Sequence, residues 1–338
     1  MVKNDNEIYR AILEYGLAQR EVVEKVVDES LSKINLKNIF LIGCGGSFAV
    51  MHPCKYILET NSNIPVFIYN SSEFNTIQPL NFSKDSLVIL SSYSGKTPET
   101  VEAANIAKKA GAPTIGFTGF ADSPLGHAVD HVFENNAETG VTDSKIILLY
   151  QIIFNILKKH ENFDKYEEII KALNTLPDSL VKIKESVEAY AEKWAEENMD
   201  TDLFFTLGTG VLWGETYSFA ICILEEMQWM KAQPVDAGEF FHGSFEIVRE
   251  DTPNLLLFKG EDKTRPVAER VEKFINKYSK KYTIIDTKDY PLPGVPEEFR
   301  GYVSPLVISA VLDRFGKHLA DKRNHPLKTR KYMGIVDY

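Results

Sequence analysis

Short, uniformly apolar runs bounded by glycine, proline or asparagine recur through the first half of the chain. They alternate with stretches whose apolar residues fall at helical spacing. Lys37-Asn-Ile-Phe-Leu-Ile-Gly43, Pro65-Val-Phe-Ile-Tyr69, Ser86-Leu-Val-Ile-Leu90 and Pro113-Thr-Ile-Gly-Phe-Thr118 predict four strands, and a fifth begins near Val132-Phe133. Runs without a polar alternation suit strands covered on both faces. Phe48 to Glu59 and Thr97 to Ala110 carry the helical period between them. The pattern predicts an α/β domain: a parallel sheet flanked by helices, in the manner of a flavodoxin-like doubly wound sandwich.

After a long apolar helix at 144–160 and the charged stretch Lys158 to Glu168, the pattern starts again with a helix over 179–197. Strand Asp202-Leu-Phe-Phe-Thr-Leu207, the turn Gly208-Thr-Gly210 and a helix to about Met230 follow. Next come strand Asn254-Leu-Leu-Leu-Phe258, a helix over 266–280, strand Tyr282-Thr-Ile-Ile285 and a final helix over 304–322. Two tandem copies of one α/β unit are expected, at 20–165 and 175–322, with a tail at 323–338.

Composition narrows the partners. At 338 residues, 44% hydrophobic and 25% charged, the chain has an ordinary globular balance with room for two domains. A formal charge of −10 excludes a nucleic-acid surface, which needs clustered Lys and Arg; the only basic cluster is Asp321 to Lys331. Cys44, Cys54 and Cys222 have no paired spacing, so neither a disulfide framework nor a zinc site is expected. The N-terminal residues lack an apolar signal core, and the longest apolar stretch, Ile146 to Leu157, is too short to span a bilayer. The expectation is a cytoplasmic protein with no membrane partner.

Two turns carry candidate chemistry. Gly43-Cys-Gly-Gly-Ser47 follows the first strand and opens a helix, where backbone N–H groups and the Ser47 hydroxyl can meet an anion; the same residues also make a tight turn with Ser47 as a cap. A dinucleotide fingerprint is not met, because Phe48 stands where the third glycine belongs and Asn70-Ser71-Ser72 replaces the ribose-binding acid. Ser91-Ser-Tyr-Ser-Gly-Lys-Thr97 follows the third strand. Its hydroxyls, on Ser92, Ser94 and Thr97 beside Tyr93, are more than a cap needs and can converge on a phosphate monoester, the alternative being a polar turn capped by Ser94. Gly95-Lys96-Thr97 mimics a nucleotide P-loop, but Leu90 occupies the position of its first glycine.

In the second half, Glu226 and His242 lie sixteen positions apart, joined by the turn-forming Ala237-Gly-Glu239. A carboxylate and an imidazole are the usual pair for moving a proton between sugar carbons and opening the ring. Apolar neighbours Ile223, Leu224 and Met227 predict partial burial of Glu226 and a raised pKa. His242 precedes Gly243 in a loop, Glu225 is the adjacent competitor, and His325 and Lys331 of the tail are placed to fold over the site. No histidines share a metal-binding spacing.

The two turns, the tandem units and the Glu226–His242 segment resemble the sugar isomerase (SIS) domain family, which includes the isomerase half of glucosamine-6-phosphate synthase. The resemblance implies that Ser92 to Thr97 hold a sugar phosphate with help from Gly46 and Ser47, that Glu226 moves protons on the carbons, and that His242 opens the ring. In that family the histidine commonly comes from the neighbouring subunit, which implies a homodimer or higher with shared sites. Within the family, Ala237-Gly-Glu-Phe-Phe-His-Gly-Ser-Phe-Glu-Ile-Val248 and the ending from Asn324 to Tyr338 are similar to the fructosamine-6-phosphate deglycases. Val141-Thr-Asp-Ser-Lys145 departs from them and looks like the sugar-contact segment of the synthase. The implied activity is cleavage of a 6-phosphorylated fructosamine to a hexose 6-phosphate and an amino acid, without metal or organic cofactor. An aldose/ketose isomerase, a glucosamine-6-phosphate deaminase and a non-catalytic sugar-phosphate sensor are the alternatives.

Overall fold

The computed structural model describes every residue except Met1, Lys3, Asn136, Glu138 and Tyr338. The chain forms two compact units, one over Asp5–Pro177 and the other from Asp178 onward.

In the first unit, β1 (Asn38–Gly43), β2 (Val66–Asn70), β3 (Ser86–Ser91), β4 (Thr114–Thr118) and β5 (His131–Glu134) build one sheet in the order β2-β1-β3-β4-β5. All pairs are parallel. The central strands β1, β3 and β4 are buried at every position, which is why their sequences carry no polar alternation. Phe40, Ile42, Val88 and Leu90 point to one face and pack against the alanine-rich side of helix Pro98–Ala110. Small residues there let that helix approach the sheet closely. Helix Val141–Glu161 is buried from Asp143 to Leu157. Helices Asn6–Leu17 and Arg20–Leu31, which the sequence pattern does not announce, precede β1. The Gly16 carbonyl accepts from Gln151 of the long helix at 2.9 Å, and the Tyr9 hydroxyl donates to Asp143 at 2.6 Å.

The second unit repeats the plan in a shorter sheet: β6 (Leu203–Gly208), β7 (Lys231–Asp236), β8 (Asn254–Lys259) and β9 (Tyr282–Asp286), all parallel in the order β7-β6-β8-β9. β7 lies within what the sequence suggests to be helix end and turn. Pro234 pairs in register with Thr206, and an edge strand tolerates the donor that proline lacks. Other boundaries shift too. The helix expected over 179–197 breaks at Val187 into Leu176–Ser186 and Glu188–Asn198. The last helix runs from Glu297 to Lys322 through an internal Pro305; its first turns are anchored by Arg300, which donates twice to Glu261 at 2.8 Å.

An ion cluster ties β8, β9 and helix Arg265–Tyr278 together. Arg265 donates to both oxygens of Asp286 at 2.9 and 2.6 Å, and Lys259 reaches Asp286 at 2.9 Å and Glu272 at 2.7 Å. Burial alone would raise the Asp286 pKa, but the Arg265 and Lys259 hydrogen bonds outweigh it and bring it down to about 2. A depressed carboxylate pKa contributes stability that is present above the unfolded value and lost as pH falls toward the folded one. Asp286→Asn should therefore lower the melting temperature clearly near neutral pH and by less near about pH 3; an equal drop at both, read by circular dichroism, would contradict this role.

Candidate active site

Strand order decides where a ligand can sit in the first unit. From β1 the chain moves outward to β2 and then returns to the other side for β3, so connections diverge between β1 and β3. Ligands of open α/β sheets bind beyond the carboxyl ends of the strands at such a switch point. Gly43 pairs with Ser91 across the two strands, so both candidate turns leave the sheet level and side by side.

The second turn is built tightly. A Cβ at Gly95 would fall 2.1 Å from the Ser123 hydroxyl and 2.7 Å from that of Thr118, and Gly95 has φ +63°, so only glycine fits. Ser92 Oγ lies 2.8 Å from Thr97 Oγ1 and 3.5 Å from Ser94 Oγ, which gathers the three hydroxyls. Ser94 accepts from the Lys96 amide, but the residue preceding helix Pro98–Ala110 is Thr97, not Ser94, and its hydroxyl pairs with that of Ser92 rather than capping the helix. Among the described residues, the Ser94 and Thr97 amides have no acceptor within the chain. A cluster of hydroxyls and amides without acceptors suits a phosphate dianion, whatever the net charge of the protein. Tyr93 is drawn elsewhere: its hydroxyl donates to the Ala137 carbonyl at 2.9 Å.

The first turn is just as constrained, since a Cβ at Gly43 would meet the Ser47 carbonyl at 2.8 Å. Gly45, not Ser47, precedes the short helix that begins at Gly46. The Ser47 amide is committed to the Cys44 carbonyl, and its hydroxyl accepts from Lys145 at 3.0 Å. Lys145, only 3% exposed, brings a cation to this turn from the buried side of helix Val141–Glu161. The sequence marks 141–145 as a sugar-contact segment without singling out this ammonium. Its signal is a lysine inside an otherwise apolar helix.

The corresponding crevice of the second unit is filled from within. The turns after β6 and β8 meet there: Asp262 accepts from the Val211 amide at 3.3 Å and from the Thr264 hydroxyl at 3.0 Å. A carboxylate of the chain itself stands where an anion would bind.

Glu226 and His242 lie in this second unit, but β7 comes between them. Glu226 sits on the π-helical segment Phe219–Met227, which leads into β7, and His242 ends a short helical turn, Phe240–His242, after it. Six strand residues rise about 17 Å end to end, so the segment that looked like a turn holds the two groups at opposite ends of a strand. The wide turn closes at Trp229, a non-glycine with φ +54°, whose amide bonds the Glu225 carbonyl at 3.0 Å while the Met230 amide reaches Leu224 at 2.8 Å. Such insertions often mark functional sites. His242 is exposed, with no side-chain hydrogen bond among the described residues. Glu226, 23% exposed, pairs with Arg330 of the tail at 2.8 Å. Burial raises its carboxyl pKa, and Arg330 offsets part of that rise. Arg330, not Lys331, is the tail residue that reaches it; His325 instead packs edge-on against Trp229 with ring centres 4.5 Å apart. Glu225 is exposed. Among the described residues no group of three or more His, Cys, Asp or Glu could hold a metal ion, and no helix is long and apolar enough to cross a membrane.

The chain is thus a pair of parallel α/β units of one plan, the first with a hydroxyl-lined turn at its switch point. Residues 34–156 match the SIS domain model. Fructosamine deglycase FrlB of Bacillus subtilis is 38% identical over 92% of this chain and 95% of its own length, and fructoselysine 6-phosphate deglycase of Escherichia coli is 24% identical over 94% and 91%. A 1.90 Å crystal structure from Bacillus subtilis, described as a candidate phosphosugar isomerase, superposes with a TM-score of 0.89 at 36% identity, covering 96% of this chain and all of that one. The chain belongs to the SIS domain family, among its enzymes.

The hydroxyl turn makes a direct prediction. Ser92→Ala and Gly95→Ala should each weaken binding of a hexose 6-phosphate by roughly 10-fold or more, the scale of a lost hydrogen bond to a charged group. Calorimetry showing unchanged affinity in both variants would remove the turn from the site.

Proposed function

We propose that the enzyme hydrolyses a 6-phosphorylated fructosamine, an amino acid joined through nitrogen to C1 of fructose 6-phosphate, to a hexose 6-phosphate and the free amino acid. In this reading the phosphate goes to the hydroxyls of Ser92, Ser94 and Thr97 with the Ser94 and Thr97 amides, and Gly46 and Ser47 border it. His242 assists ring opening. Glu226 takes a proton from C1 of the open-chain ketose, giving an enaminol. Protonation at C2 yields an imine at C1, water adds to that imine, and the C–N bond breaks to leave an aldehyde and the amine. The C2 carbonyl takes up the electron pair of the broken C1–H bond, and the nitrogen lone pair forms the imine as C2 is protonated. The observation that carries this reading is Glu226 itself: a half-buried carboxyl whose burial favours proton uptake. The similarity to two deglycases over nine-tenths of the chain supports the substrate class.

In this reading, following the family resemblance, each site takes its glutamate from one copy and its histidine from another, so that the minimum assembly is a dimer.

Glu226→Gln should abolish release of the amine while leaving hexose 6-phosphate binding intact; normal turnover would refute the base. In the wild type, kcat/KM should fall as pH drops through a point above the ordinary glutamate value of about 4.3, since only the ionised carboxylate can take the proton and its pKa is raised. Mixing inactive Glu226→Gln with inactive His242→Ala should restore about a quarter of wild-type activity, because random pairing of two chains gives half mixed dimers with one intact site in two. No recovery after subunit exchange would place both groups in one copy. An isomerase or deaminase would use the same glutamate, and Lys145 with its synthase-like segment fits a substrate without the amino-acid arm. Comparing release from fructoselysine 6-phosphate and from glucosamine 6-phosphate separates these readings.

A further inference from the structure

Residues 323–337 extend past the final helix, and contacts to the segment that carries Glu226 anchor their start. The His325 amide donates to the Ala320 carbonyl at 2.9 Å, and the His325 carbonyl accepts from the fully buried Gln228 side chain at 2.8 Å. Arg323 donates to the Gln228 carbonyl at 3.4 Å and also to that of Met199. These bonds attach the tail two residues beyond Glu226. A turn closed by the Thr329 amide on the Pro326 carbonyl at 2.9 Å then presents Arg330. Its Nη1 donates to the Leu327 and Thr329 carbonyls at 2.8 and 2.9 Å, which fixes the guanidinium before any partner arrives. Its Nη2 lies 2.8 Å from Glu226 Oε1, with both side chains 23% exposed.

We propose that Arg330 is a positioning residue for Glu226: the tail folds back so that a guanidinium fixed by its own carbonyls aims the carboxylate and keeps it ionised, ready to receive a proton. The inference rests on reading Glu226 as the base. A freely exposed pair of this kind would do little. Here the arginine loses little freedom on pairing, because its fork is already held, and a carboxyl half out of water responds strongly to one nearby charge. Among the described residues, Arg330 is the charged group that pairs with Glu226; Arg323 and His325 face the neighbouring Gln228 and Trp229, and Glu225 on the same segment is exposed. Burial and Arg330 push the carboxyl in opposite directions, so removing the guanidinium leaves burial unopposed.

The test compares wild type, Arg330→Met, Arg330→Lys and Glu226→Gln by two readouts. One is the pH profile of kcat/KM with fructoselysine 6-phosphate. The other needs no substrate: the pH dependence of carbodiimide labelling at Glu226, which requires the protonated carboxyl, followed by peptide mass spectrometry. Arg330→Met should move both the acidic limb and the labelling midpoint to higher pH, cutting kcat/KM at least several-fold on the acid side while sparing the alkaline plateau. Arg330→Lys should return both most of the way. A loss equal at every pH, or a labelling midpoint unmoved in Arg330→Met, overturns the assignment. If Glu226→Gln keeps turnover, the base reading fails, and the labelling midpoints still judge what Arg330 does to the carboxyl.

Discussion

Strand β7 is the constraint on which the account of the site turns. A carboxyl at the end of the π-helical segment and an imidazole just past Asp236 have a six-residue strand between them, and a strand cannot fold back on itself to bring its own ends together. In the proposed chemistry both groups act on one sugar, which two copies of the chain satisfy by supplying one group each. The strand is held at the sheet edge by its register with β6.

The two units share one strand plan and differ at its functional edge. In the first, the switch-point turn gathers hydroxyls and leaves amides without acceptors. In the second, Asp262 accepts the Val211 amide within the Gly210–Leu212 turn, and Arg265 and Arg300 are bound by Asp286 and Glu261. A carboxylate in the chain and a phosphate in solution are alternative partners for the same kind of donor. An acidic protein can therefore receive an anionic ligand at one edge while the equivalent edge is neutralised internally.

Much of the fold was legible because buried parallel strands write themselves as continuous apolar runs, and β1, β3, β4, β6 and β8 were all found that way. β7 was not, since Lys231-Ala-Gln-Pro-Val-Asp236 has the polar alternation and proline of an edge strand. The split at Val187 and the passage of the last helix through Pro305 were hidden because tertiary anchors, not local propensity, set those limits. Glycine spacing after β1 and β3 marked the turns, and their positions at the switch point follow from topology. What escaped were charges that act across long sequence gaps: Lys145 meets Ser47 nearly a hundred residues away, and Arg330 meets Glu226 from the tail. The sequence points to Lys331 and His325 as the tail residues near the site. Which basic residue points inward is fixed by the turn at Pro326–Thr329, a geometry that composition does not encode.

The proposed chemistry requires that a C1–H bond of the ketose be broken before the amine leaves. Turnover of a fructosamine 6-phosphate carrying two deuterium atoms at C1, with the product read by mass spectrometry and NMR, tests this directly. An aldose 6-phosphate that keeps one deuterium at C1 is the expected product. A ketose 6-phosphate retaining both would show that the C–N bond is cleaved without proton abstraction, and would leave Glu226 without the role assigned to it.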